Sequence, residues 1–144
     1  MSISGLRSPY EKVGEIVYFG RMLDKIRLHA KNSLPTAYIE NLGEAFDKMC
    51  VRFLRVTYPE LAEEVKKGAS DETALEWCFS KGRRPTDEDI FAWGEFIRKR
   101  GWNDSASERL KQRKAENGFE NRDEIQTMFD YIDADEGRPI RQQP

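Results

Sequence analysis

The sequence is poor in the residues that bind metals and carry out nucleophilic catalysis: its 144 residues include two cysteines and one histidine. A structural zinc site needs four such ligands, and Cys50 and Cys78 do not form a Cys-x-x-Cys pair, so the sequence excludes one. Their apolar neighbours predict buried, reduced thiols, although a disulfide between them stays open. His29 alone would have to serve any Ser–His or Cys–His pair. No glycine-rich GxGxxG, P-loop or GxSxG signature is present either, so we predict no catalytic residue, no metal and no cofactor.

Long apolar runs are missing as well. Only 38% of the residues are hydrophobic, and no run approaches the roughly 18 residues that a membrane span requires. The N-terminus lacks the apolar region of a secretory signal, which predicts a soluble, cytoplasmic protein. What the chain does have is 8 Phe, 5 Tyr and 3 Trp, whose bulk is sufficient for a core. The length favours a single domain over 1–144, with an ordered core over 8–138 and a flexible tail at 139–144.

The apolar spacing is helical throughout, and no segment alternates with a period of two. We therefore predict an all-α, single-domain fold of six to eight helices with no sheet. The strongest stripe predicts a central helix over 42–55, and a second helix is expected over 20–32. Residues 8–19 are either one more helix or an extended lead-in.

Further helices are predicted from their first residues. Thr57, Ser70 or Asp71, and Thr86 are typical N-caps, and Ser105 with Glu108 three residues later matches a capping box. The stripe beginning at Ile125 predicts a last helix, and Gly118 and Gly137 are expected to end the last two helices. In the helix that follows Thr86, Phe91 and Phe96 are expected to widen the inward face. Trp102, just past its end, is interpreted as a core residue rather than a stacking platform.

Charge is unevenly distributed although the net charge is only −2. Residues 1–55 carry nine basic and six acidic groups, and residues 81–114 carry ten and six. Residues 115–136 carry one basic and eight acidic groups. A basic region therefore either faces a partner or is covered by the acidic helix over 123–136.

The candidate binding residues lie in the two basic stretches. Arg21, Lys25 and His29 recur every four residues and share one helix face. They predict either an anion-binding stripe or an ordinary helix with an Asp24 ion pair. The complete set of predicted ligand-binding residues is Arg21, Asp24, Lys25, His29, Arg83, Arg84, Arg98, Arg100 and Trp102.

An acidic metal site was the other possibility that the sequence raised. Asp133, Asp135 and Gly137 faintly resemble the start of a calcium loop, but the glycine is one position early and no glutamate follows at the twelfth position. Asp130 and Asp133 alone could hold magnesium, whereas a solvated acidic helix end explains them more simply.

Several unusual strings together resemble one known family. They are Arg21 to Arg27 (RMLDKIR), Trp77 to Phe79 with Gly82 and Arg83, Arg98 to Trp102 (RKRGW), Asp123 to Thr127 (DEIQT) and Asp133 to Arg138 (DADEGR). Their order is similar to that in the uncharacterised bacterial domain-of-unknown-function family numbered 5069. The resemblance runs from about Ser8 to Arg138 and implies a stand-alone bacterial protein without an assigned activity or catalytic residue.

The charged and aromatic residues of the sequence lead to three hypotheses about function. The leading hypothesis is a non-enzymatic binding or interaction protein whose basic surface takes an anionic small molecule or an acidic protein surface. The second is a small enzyme that uses Arg21, Asp24 and Arg27 on a phosphorylated or carboxylated metabolite. The third, less favoured, is nucleic-acid binding through Arg98, Arg100 and Trp102 and the cations of 109–114.

Overall fold

The computed structural model describes residues 2–141 of the chain. This part contains a short hairpin followed by eight helices. In chain order the elements are β1 (Lys12–Val13), β2 (Ile16–Val17), α1 (Phe19–Ala30), α2 (Thr36–Ile39), α3 (Phe46–Leu54), α4 (Tyr58–Lys66), α5 (Asp71–Lys81), α6 (Asp87–Lys99), α7 (Ser107–Glu116) and α8 (Met128–Asp135). None of the helices within 2–141 is long and apolar enough to cross a membrane.

The prediction of a fold without a sheet was wrong, because residues 8–19 include an antiparallel hairpin. Lys12 pairs with Val17, and Val13 pairs with Ile16. Gly14 and Glu15 both have positive φ, at 52° and 71°, as a two-residue hairpin turn requires. Strands of two residues are too short to show alternation, so no periodic signal for them is visible in the sequence.

The centre of the fold is α1 rather than the predicted helix over 42–55. Phe19, Met22 and Leu23 are fully buried, and α1 packs against α4 and the hairpin. Helix α3 begins only at Phe46 because Gly43 and Ala45 take positive φ values of 77° and 51°, which no α-helix accommodates.

Local start signals predicted three helices correctly. The side chains of Thr57, Ser70 and Thr86 accept backbone N–H groups at the starts of α4, α5 and α6. The predicted capping box at Ser105 was wrong: α7 begins at Ser107, and the Ser105 hydroxyl instead accepts a hydrogen bond from Arg100.

The last helix also begins later than its apolar stripe indicates. Thr127 caps α8 by accepting the N–H of Asp130, so that Ile125 is buried outside the helix. Asp130 fixes this start because its carboxylate accepts the N–H of Gln126. Part of the predicted tail is anchored by Arg141, which donates to Glu11 at 2.7 Å, while residues 142–144 lie outside the described part.

Aromatic rings build much of the core, as predicted, but three of them lie outside it. Phe91, Phe96 and Trp102 are 70%, 48% and 58% exposed, so the inward placement predicted for all three was wrong. In α6 the core face is occupied by Trp93 and Ile97, which leaves the two phenylalanines on other faces of the helix. The prediction of buried, unpaired cysteines at Cys50 and Cys78 is confirmed.

Candidate functional site

A groove of about 910 Å³ lies between the hairpin and α6. Its apolar surface includes Val17, Ile90 and the backbone of Gly94, together with three aromatic rings, those of Tyr10, Phe79 and Phe91. Five cationic side chains line it: Lys12, Arg84, Arg98, Lys99 and Arg141. The three carboxylates are Glu15, Asp87 and Glu95, so the lining carries an excess of positive charge.

The walls of the groove are held by contacts between the hairpin and α6. The indole N–H of Trp93 donates to the carbonyl of Val17 at 3.1 Å, and the Trp93 ring stacks on Phe53 at 4.8 Å. At Gly94, a Cβ atom would meet Cγ2 of Val17 at 3.6 Å, which shows how closely the helix backbone approaches the strand. Since Trp93 and Val17 are both buried, the two walls form one packed unit.

Three cations of the groove take part in ion pairs near the surface, and one of them, Arg141, also lies 4.0 Å from the buried Asp133. Arg84 lies 2.6 Å from Glu76, and their side chains are 63% and 58% exposed. Lys99 lies 2.8 Å from Glu95, and Arg141 lies 2.7 Å from Glu11. Exposed pairs of this kind contribute about 0–1 kcal/mol, so exchanging the carboxylate for a ligand anion costs little.

Two of the cations also lie over aromatic rings. The Arg84 guanidinium is 4.6 Å from the centre of the Phe79 ring, and that of Arg141 is 5.1 Å from the Tyr10 ring. The faces of the rings attract the guanidinium groups and so favour these positions of Arg84 and Arg141. The ring of Phe91 is 70% exposed to solvent.

Two groups of the groove, Tyr10 and Glu95, have pKa values that are shifted further from neutral pH. Burial and the hydrogen bond that Tyr10 donates to Asp130 raise the pKa of the Tyr10 hydroxyl. The hydrogen bond from Lys99 lowers the pKa of the Glu95 carboxyl. General acids and bases work best with a pKa near the working pH, so these two groups are suited to binding rather than proton transfer.

The structure places only two of the sequence-predicted residues in this groove, Arg84 and Arg98. Arg83 donates to the Phe53 carbonyl and to Asp89 at 2.8 and 3.0 Å. Arg100 contacts Asp104 and Ser105. Trp102 is exposed but does not line the groove.

The predicted stripe on α1 is divided between the interior and the surface. Arg21 and Lys25 are 4% and 6% exposed, whereas His29 is exposed. Arg21 donates twice to Glu136, at 2.9 and 2.7 Å, and Lys25 lies 2.8 Å from Asp47. These cations therefore do not form a continuous accessible anion-binding surface.

Asp24 belongs to a separate ion-pair network. Its carboxylate accepts three hydrogen bonds from Arg7, two from the side chain and one from the backbone, and Arg27 lies 3.7 Å away. Arg7 and Arg27 both also bind Asp71, at 2.8 Å. Asp24, Arg21 and Arg27 are thus committed to structural contacts and do not converge on the groove.

The buried polar network around α1 is fully hydrogen-bonded. Tyr18 donates to Asp47 at 2.6 Å, and Tyr38 donates to Glu136 at 2.7 Å. Burial lowers the pKa of Lys25, although the Asp47 carboxylate opposes the shift. Within residues 2–141, no buried side-chain nitrogen or oxygen lacks a partner, which leaves no orphaned group for a ligand.

Asp130 and Asp133, interpreted from the sequence as a solvated helix end, are buried instead. They are 3% and 1% exposed, so that interpretation was wrong. Asp130 accepts from Tyr10 at 2.5 Å, and Asp133 accepts from Ser8 and Arg138 at 3.0 and 3.1 Å. No group of three or more potential metal ligands occurs within 2–141.

The sequence comparison identifies the family. Residues 3–138 match the family described as Domain of unknown function (DUF5069). The chain belongs to DUF5069. The resemblance seen in its sequence strings is thereby confirmed, and the description of the family names no activity. No curated protein matches the chain.

Sequence reasoning missed most of the groove in this DUF5069 member. Lys12 lies in the segment left open between helix and extended chain, and Arg141 lies in the predicted tail. Tyr10 and Phe79 carried no signal beyond their aromatic character. Gly14 was the one local indication of a turn in this segment, and the hairpin built on that turn forms the groove wall that faces α6.

Proposed function

We propose that this DUF5069 protein is a ligand-binding protein rather than an enzyme, and that the groove takes a small organic anion with an aromatic or apolar body. The observation that supports it is the combination of five cations with three aromatic rings around one cavity of about 910 Å³. We place it in the cytoplasm as a single domain, and the two buried free thiols support a reducing compartment.

The size of the groove suits a small molecule. Pockets for such ligands typically enclose about 300–1,000 Å³, with apolar walls and a few polar groups that set orientation. Here the apolar walls come from Val17, Ile90 and Phe91, and the polar groups come from Arg84 and Arg98. A planar apolar body would contact the rings, while its anionic group would meet the guanidinium groups.

Arginine is well suited to the anionic end. Its planar guanidinium donates two parallel hydrogen bonds to a carboxylate, sulfonate or phosphate. Arg98 is held by its hydrogen bond to the Gly94 carbonyl at 3.1 Å and by Glu95, so its position is defined before the ligand arrives. Pre-positioned donors lower the entropic cost of binding.

The proposal is tested with the fluorescent aromatic sulfonate 1-anilinonaphthalene-8-sulfonate as the probe. We expect saturable binding to the native protein that weakens as salt is added. Replacing Arg98 by Gln should weaken binding about 3- to 10-fold, the effect of losing one charge-assisted hydrogen bond at a partly exposed site. Arg84→Gln should act in the same direction.

Lys111→Gln on α7 is the matched control, since Lys111 is cationic and exposed but does not line the groove. It should leave the affinity unchanged. Equal affinities for the native protein, Arg98→Gln and Arg84→Gln would place the probe elsewhere and overturn the proposal.

Polyanion binding on α7 is a second candidate because this helix carries cations without acidic partners. Arg109, Lys111 and Arg113 form no ion pair within residues 2–141. Lys114, by contrast, donates to the carbonyls of Arg122 and Ile125, both at 2.9 Å. Binding of a single-stranded oligonucleotide that strengthens steeply as salt falls, and is lost in Arg109→Gln/Arg113→Gln, would support this candidate.

A further inference from the structure

The groove follows α6 along its length, because the α6 residues that line it recur with the spacing of a single helix face. From the first turn to the last they include Asp87, Ile90, Phe91, Gly94, Arg98 and Lys99. At a rise of about 1.5 Å per residue, Asp87 and Lys99 lie about 18 Å apart along the helix axis. The groove therefore has two separate ends.

Positive charge is concentrated at the end of the groove where α6 finishes. Arg98 and Lys99 both bind the carboxylate of Glu95, so that two cations share one acid. Arg98 is held there by its hydrogen bond to the Gly94 carbonyl at 3.1 Å. Positive charge is therefore in excess on this part of α6.

Arg141 adds a third cation at the same end. Its guanidinium lies 5.1 Å from the centre of the Tyr10 ring, and the Tyr10 hydroxyl lies 3.2 Å from that of Thr127. Next to Thr127 in the chain, the N–H of Met128 donates to the carbonyl of Arg100, just past the end of α6, at 2.9 Å. Three cations and one carboxylate thus line this end of the groove.

The opposite end of the groove is apolar and close to neutral. Its apolar side chains come from the start of α6 and from the chain before it: Phe79, Pro85, Ile90 and Phe91. Among the described residues that line this end, the one cation is Arg84, which covers the Phe79 ring and has Glu76 as its own partner at 2.6 Å. Asp87 adds a negative charge beside it.

We propose that the groove binds an elongated amphiphilic monoanion, a carboxylate with an unbranched apolar chain, whose head lies at Arg98 and whose chain runs along α6 past Phe91 to Phe79. The proposal rests on the proposed function and adds the class and the orientation of the ligand. The guanidinium and ammonium groups would bind the head through charge-assisted hydrogen bonds, and the apolar side chains would remove the chain of the ligand from water.

A second anionic group at the far end of such a ligand would be unfavourable. It would lie near Asp87, and Arg84 is already matched there by Glu76. It would also lose water among apolar side chains without gaining free donors. The groove should therefore distinguish a monocarboxylate from a dicarboxylate of the same length.

NMR titration of the purified full chain with hexanoate, dodecanoate and dodecanedioate tests the proposal, at concentrations below those at which dodecanoate forms micelles. Dodecanoate should bind about tenfold or more tighter than hexanoate, because its additional methylene groups lie along the apolar walls. Dodecanedioate should bind about tenfold more weakly than dodecanoate. Arg98→Gln should weaken the binding of dodecanoate more than Arg84→Gln does.

Phe91→Ala and Phe96→Ala form a matched pair of variants. Both remove an exposed ring from α6, but Phe91 lines the groove and Phe96 does not. Phe91→Ala should weaken the binding of dodecanoate about 3- to 10-fold. It should affect hexanoate little, because Phe91 lies about 10 Å along α6 from Arg98, beyond the reach of the short chain. Phe96→Ala should leave both affinities unchanged.

The outcomes separate this proposal from the proposed function. If neither the carboxylates nor the sulfonate probe bind, both are overturned. If binding depends on Arg98 but is as tight for hexanoate as for dodecanoate, or tighter for dodecanedioate, the amphiphilic monoanion is overturned and the groove remains an anion site. Equal effects of Phe91→Ala and Phe96→Ala on dodecanoate would likewise overturn the path of the chain along α6.

Discussion

Arg21 and Glu136 form a bidentate ion pair in the interior, with N–O distances of 2.9 and 2.7 Å, although 115 residues separate them in the sequence. Their side chains are 5% and 2% exposed. Tyr38 and Arg138 donate to the same carboxylate. The pair therefore ties the end of α8 to α1 at the centre of the fold.

Removing the cation of this pair should destabilise the protein strongly. Arg21→Gln leaves a buried carboxylate short of two donors, and we expect the free energy of unfolding to fall by about 3 kcal/mol. Urea denaturation followed by tryptophan fluorescence measures the loss. Arg122→Gln is the control, because its partner Glu124 lies on the surface and such pairs contribute about 0–1 kcal/mol. Equal losses in the two variants would contradict a structural role for the buried pair.

Acid should weaken the fold through the same carboxylate. Burial by itself would raise the pKa of Glu136, but the hydrogen bonds and charge of Arg21 outweigh it and hold the pKa below its ordinary value of 4.5. Between the lowered pKa of Glu136 in the folded protein and its ordinary pKa in the unfolded chain, the unfolded chain binds more protons than the folded protein does. The free energy of unfolding therefore falls as the pH falls through this range.

The measurement is urea denaturation at a series of pH values from about 6 to about 3. Glu136→Gln should flatten the acid limb of the profile, because its side chain does not titrate. Glu120→Gln, a change at an exposed glutamate, should keep the native profile. An unaltered acid limb in Glu136→Gln would show that other carboxylates cause the loss.

Gly82 and Gly94 should respond in opposite ways to replacement by alanine. At Gly82 a Cβ atom would lie 2.0 Å from the Leu54 carbonyl oxygen, so the backbone would have to move and the fold should lose well over about 2 kcal/mol. At Gly94 the new Cβ atom would make an ordinary contact with Val17 at 3.6 Å. Alanine is more favourable than glycine in the interior of a helix, so Gly94→Ala should raise the free energy of unfolding by up to about 1 kcal/mol. Thermal unfolding of both variants checks the signs, and a stable Gly82→Ala would contradict the close approach.

Thr86 and Ser105 should differ although both are interpreted from the sequence as helix caps. Thr86 and Asp89 form a complete capping box at the start of α6, so Thr86→Ala should cost about 1 kcal/mol. Ser105 does not cap α7, so Ser105→Ala should change the free energy of unfolding by only a few tenths of a kcal/mol. Denaturant titration of the two variants distinguishes them, and similar losses would show that Ser105 also caps a helix.

Local signals in the amino-acid sequence are sufficient to locate the starts of several helices and to identify the mainly helical class of the fold. Thr57, Ser70 and Thr86 were identifiable as caps because an N-cap hydrogen bond joins residues only three positions apart. The apolar spacing identified the mainly helical class for the same reason: both signals are local in the chain.

Which charged residues are buried and which line the groove depends on contacts between distant segments, and these contacts exist only in the folded chain. The four-residue spacing of Arg21 and Lys25 is typical of an exposed stripe, but Glu136 and Asp47 come from distant segments and pair with them in the interior. The groove likewise joins Lys12, Arg84 and Arg141 from three separate parts of the chain. Whether a cation is buried or exposed depends on the carboxylate that folding brings to it, because only a paired charge can leave water at a tolerable cost.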